Sequence, residues 1–114
     1  MEAPPLFDRR DWKRTRKRAK KLLYSHLGKK QRGDLKRKGR FDVFSSRGNV
    51  YRISNVFPFN VRLAGYAKRS RVFFCLEAED PDVPREDVML AQKTMLESDE
   101  GEFLRLANMT YIPK

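Results

Sequence analysis

Hydrophobic residues change their spacing twice along this chain, and the changes mark out three stretches. Trp12, Ala19, Leu22, Leu23 and Leu27, with His26 among them, fall on one stripe at helical intervals. Asp8 can cap such a helix, Asp11 suits its positive first turn, and Gly28 is a plausible stop. Met1 to Phe7, with Pro4-Pro5, has no period and reads as an extended lead-in. Residues 28–40 hold three glycines, seven cations and only Leu35 as an apolar anchor, a composition that reads as a mobile basic loop.

From Arg40 the period falls to two. Phe41 and Val43 alternate with Arg40, Asp42 and Phe44, and Ser46 to Asn49 supplies a turn before a second strand over 50–54. Pro58 cannot donate to a central ladder, so 55–60 reads as a bend. Residues 60–64 and 71–77 are the third and fourth strands, the last rich in β-branched and aromatic residues. Short connections favour an antiparallel meander.

The helical period then returns. Glu79 to Pro84 is an acidic link, Asp82 a candidate cap, and Val88, Ala91, Gln92, Met95 and Leu96 form an apolar stripe. Phe103, Leu106 and Ala107 continue it, with Gly101 as a break and Ser98 as a second cap; Met109 to Lys114 reads as a short tail. The pattern predicts an α+β fold: a basic N-terminal helix, a small antiparallel sheet of about four strands, open or curled into a small barrel, and an amphipathic C-terminal helix packed on it. It divides the chain into a basic helix and flexible loop over 1–39 and a compact sheet-plus-helix domain over 40–114.

Charge sharpens this picture. The 114 residues carry a net +11, distributed as +12 over residues 1–40, +5 over 41–76 and −6 over 77–114. A cationic leading end backed by an anionic trailing end would approach a polyanion front first. Arg14, Lys17, Arg18 and Lys21 recur at i, i+3, i+4 and i+7, a spacing that puts them on one helix face. Lys29, Lys30, Arg32, Lys36, Arg37 and Lys38 form a second cluster. If Phe41, Val43, Tyr51, Ile53, Val61, Leu63, Val72, Phe74 and Leu76 point inward, alternation sends Arg40, Phe44, Arg52, Arg62, Arg71 and Phe73 to the opposite face. Cations beside aromatic rings are the surface that single-stranded nucleic acid uses, phosphates on the first and bases on the second. The structural alternative has Phe44 and Phe73 simply packed beneath the N-terminal helix.

Other chemistries find less support. No stretch approaches the roughly 18–20 apolar residues of a spanning helix, no apolar leader is visible, and the basic helix has too thin a seam for firm insertion into lipid. A soluble cytoplasmic protein without a membrane partner is expected. Cys75 is the only cysteine and His26 the only histidine, which permits neither an intramolecular disulfide nor a four-ligand zinc site. The carboxylates from Glu77 to Asp87 match no metal-loop spacing, and no phosphate-binding glycine loop is present. The expectation is a non-enzymatic nucleic-acid-binding accessory or structural protein, on DNA or RNA, with no cofactor or metal. The alternative is a protein–protein subunit of a larger nucleoprotein complex, docking through exposed Glu97, Asp99, Glu100 and Glu102.

Overall fold

Alternation at period two places the side chains of a strand on opposite faces, and here only one of those faces is covered by helices. The structure, a computed structural model, describes residues 9–64, 70–80 and 82–113. Its elements in chain order are α1 (Arg9–Ser25), α2 (Lys29–Lys38), β1 (Arg40–Phe44), β2 (Val50–Ser54), β3 (Val61–Ala64), β4 (Ser70–Cys75), α3 (Arg85–Ser98), α4 (Glu100–Leu106) and β5 (Asn108–Pro113). The strands form one open antiparallel sheet in the order β1-β2-β3-β4-β5, so it is an α+β fold and not a closed barrel. Cross-strand rows run Phe41–Ile53–Val61–Phe74–Met109 on one face and Asp42–Arg52–Arg62–Phe73–Thr110 on the other.

The core is built on the first of these faces. Phe41, Val43, Tyr51, Ile53, Val61 and Phe74 meet Leu23 of α1, Leu27 in the turn after it, Leu35 of α2, Met89 and Leu96 of α3, and Phe103 of α4. Tyr51, Phe74 and Phe103 form an aromatic trio with centroids 5.8–6.2 Å apart, within the 4.5–7 Å range of favourable ring pairs. All nine residues expected to point inward are buried or half-buried. Among the described residues the helices pack on this face only, and Phe44 on the other side is 72% exposed rather than packed under a helix.

Three elements differ from the sequence expectation. Residues 29–38 are a helix, not a loop. Its start is closed by Gln31, whose Oε1 accepts from the Gly28 N–H at 2.9 Å, and its end by Gly39 in the left-handed region at φ 73°, donating to the Leu35 carbonyl at 3.0 Å. Two of the glycines that suggested disorder are thus the punctuation of a helix, and buried Leu35 fastens it to the core. Residues 108–113 are a fifth strand paired along β4, not a tail. In α1 the buried seam is Ala19 and Leu23, continued by Leu27 in the following turn, with Trp12 and Tyr24 beside it, while Leu22 and, past the helix end, His26 are exposed. The proposed cap Asp8 and residues 65–69, between the third and fourth strands, lie outside the described residues. Helix α3 begins at Arg85 behind Pro84, and Asp99, not Ser98, caps α4 by accepting from the Glu102 N–H at 3.0 Å.

The hairpin between β1 and β2 is pinned to the α3–α4 corner by one buried anion. Glu100, only 2% exposed, accepts from Ser45 Oγ, from Asn49 Nδ2 at 2.8 Å and from Tyr51 OH at 2.6 Å. Its own N–H donates to Ser46 Oγ at 3.0 Å, and the Ser46 N–H donates to the Leu96 carbonyl at 2.9 Å. Burial alone would raise the Glu100 carboxyl, but these three hydrogen bonds and the nearby Arg47 charge outweigh it and hold the group below its ordinary value. Tyr51 moves the opposite way, raised by burial and by donating to the carboxylate.

Because the folded Glu100 titrates below its unfolded value, its contribution is complete above an unfolded pKa of about 4.3 and is lost as pH falls through the folded one. Glu100→Ala strands the Ser45 and Tyr51 hydroxyls and is expected to cost about 2–4 kcal/mol in urea denaturation. The same variant should lose stability less steeply than wild type on going below about pH 4.5. An unchanged midpoint and an unchanged acid limb would contradict this account.

Candidate nucleic-acid interface

Between residues 9 and 64 the chain has nineteen cations against three carboxylates, Asp11, Asp34 and Asp42. Internal pairing can therefore silence few of the cations, and where each one sits decides what remains. On α1, Arg14, Lys17, Arg18 and Lys21 are all exposed, and none forms an ion pair with a described residue. The same is true of Lys29, Lys30, Arg32 and Lys36 on α2. Arg37 and Lys38 instead lie near Asp34, at 3.6 and 4.0 Å, as expected for charges three and four residues apart.

These residues do not converge on one spot. A groove of about 790 Å³ opens where α1, α2 and α3 meet, and of the predicted set only Lys17 and Lys36 line it. The others stand on the outward sides of α1 and α2. The groove's remaining cations are Lys13, Arg16 and Lys20, which share the i, i+3, i+4, i+7 spacing with Lys17 but begin one residue earlier. That set flanks the apolar seam, whereas the predicted set lies roughly one residue's turn, about 100°, further round. Trp12 and Tyr24 contribute rings to the lining, and Leu23, Leu35 and Met89 its apolar floor. Lys20 Nζ stands 5.9 Å from the centroid of the Tyr24 ring, within cation–π range. Glu86 is the one carboxylate in the lining; its Oε2 meets Arg16 at 3.5 Å, and its buried Oε1 has no hydrogen-bond partner among the described residues.

The sheet face is less cationic than counting arginines suggested. Arg52 is tied to its cross-strand neighbour Asp42, Nε to Oδ1 at 2.8 Å and the second nitrogen to Oδ2 at 3.3 Å. Arg40 is exposed, while Arg62 is half-buried with an Nε that has no partner among the described residues. The side chain of Arg71 lies outside the described residues. Phe44 and Phe73 do share this face, two rows apart from each other in neither contact nor pair.

The acidic end is also altered from the expectation. Glu100 is buried in the hairpin clasp and is no docking group. Glu97 bonds Lys93 at 2.8 Å, and Glu102 holds Arg105 in a two-pronged pair. No three His, Cys, Asp or Glu side chains gather as a metal site among the described residues. None of the described helices is long and apolar enough to cross a membrane. No family model, curated protein or solved structure matches the chain.

The Arg52–Asp42 pair is partly exposed, so its net worth is small. Asp42→Asn should cost less than about 1 kcal/mol in chemical denaturation. A loss of several kcal/mol would mean the pair holds the sheet together.

Proposed function

We propose that this is a non-catalytic nucleic-acid-binding accessory protein whose phosphate contacts come from α1 and α2. The observation that carries the reading is the exposed, internally unpaired state of Arg14, Lys17, Arg18, Lys21, Lys29, Lys30, Arg32 and Lys36. Repulsion among such charges opposes folding, and a polyanion relieves it by releasing its condensed counterions on contact. The two helices are fixed to the core through Leu23, Leu27 and Leu35, so the charges are held in a defined array rather than on a free tail. The sheet face contributes Arg40 and Phe44 as secondary contacts, with Arg52 spent on Asp42. A cytoplasmic location goes with this reading.

A salt titration of oligonucleotide binding tests it. The affinity should fall linearly on a log–log plot, with a slope of about 0.7 per phosphate contact on single strands and about 0.9 on duplex. Lys17→Ala and Lys36→Ala should each make the slope shallower by about that increment, while Arg52→Ala leaves it unchanged. Binding that is absent at low salt, or that ignores all three substitutions, rejects the reading.

A further inference from the structure

The groove between α1, α2 and α3 has features that phosphate binding alone does not need. A duplex touches a protein through an outer rim of phosphates and keeps its base faces stacked within. A recess with an apolar floor offers it nothing. An unpaired nucleotide has both an anionic edge and a free aromatic face, and single-strand sites combine cations with rings for that reason. This groove has both kinds of group in one place. Lys13, Lys17, Lys20 and Lys36 line it together with the rings of Trp12 and Tyr24. Its one carboxylate, Glu86, is already engaged by Arg16, so the lining as a whole stays positive. A volume of about 790 Å³ falls within the roughly 300–1,000 Å³ of small-ligand sites, which suits a nucleotide or two and not a long duplex.

We infer that the groove receives an unpaired nucleotide of a single strand, its base against Trp12 and Tyr24 and its phosphates on the surrounding lysines. The inference rests on the nucleic-acid reading above and narrows it to single strands or unpaired ends. Free nucleotides share this chemistry, and the neighbouring exposed cations of α1 and α2 favour a strand over a monomer because they meet the phosphates on either side.

Trp12 is the chain's one tryptophan, so its fluorescence reports on the groove directly. The full-length protein is titrated with a single-stranded oligonucleotide, the matching duplex, a mononucleotide and heparin as a polyanion without bases. The single strand should quench Trp12 and bind about 5- to 150-fold more tightly than the duplex, the range set by stacking one base. Tyr24→Leu keeps an apolar side chain on the seam and should bring the single-strand affinity down towards that of the duplex. Lys17→Glu, at an exposed position, should weaken the strand and its quenching together. Equal affinity for duplex and single strand, or equal quenching by heparin, would overturn the inference while salt-dependent binding kept the broader reading intact. A mononucleotide as tight as the oligonucleotide would overturn the strand in favour of a free ligand. No binding to any of the four would remove both readings at once.

Discussion

A chain with this much excess positive charge can bury only what lies between its cations. Taking an unpaired ammonium or guanidinium out of water costs several kcal/mol, and the carboxylates that could compensate are concentrated in the last third of the sequence. Helices α1 and α2 consequently offer narrow seams to the core, Ala19 and Leu23 from one, with Leu27 in the turn after it, and Leu35 from the other. Such thin stripes need a broad apolar partner, and the inner face of the sheet is the one available. The four helices crowd onto that face, the opposite face stays uncovered by the core, and the cationic backs of α1 and α2 are left in water.

Buried polar groups show the same economy from the other side. Glu100 lies at the centre of the clasp with a donor for each of its contacts, and its charge ties α4 to the β1–β2 turn and to β2. Gln92 and Asn60 exchange two hydrogen bonds at 2.8 and 2.9 Å, with Gln92 also donating to the Leu76 carbonyl at 3.0 Å. The first network fixes α4 on the β1–β2 hairpin and the second fixes α3 beside the start of β3 and the end of β4, more specifically than apolar contact can. Glu86 differs: one oxygen is buried without a donor among the described residues, and its partner Arg16 is half exposed. It stands at the groove, where such unevenness is most often tolerated.

Much of the sheet was readable from period-two alternation, because every inward position is apolar and a one-residue slip would bury arginines. The elements that escaped were decided by capping and by long-range pairing. Residues 28–40 look like a loop by composition, yet Gln31 and Gly39 close a helix there, and both signals were visible at their positions. Strand β5 has six residues and gains its identity only from β4, 35 or so positions earlier, which local pattern cannot supply. The cationic face of α1 was readable as a face but not in its phase. That phase depends on where α2 and α3 stand, and so Lys13, Arg16 and Lys20 were passed over in favour of Arg14, Arg18 and Lys21. Asp42 was in the sequence too; what was missing was the register that sets it directly opposite Arg52.

Gln31 has a second bond whose consequence reaches beyond α2. While Oε1 closes the helix start, Nε2 donates to the Asp42 carbonyl at 2.8 Å, and β1 is an outer strand of the sheet. One amide thus occupies an acceptor that an incoming strand would otherwise claim. Lateral growth from that flank would first have to displace the Gln31 amide, so a protein dense in exposed charge also carries a guard against stacking on itself along β1.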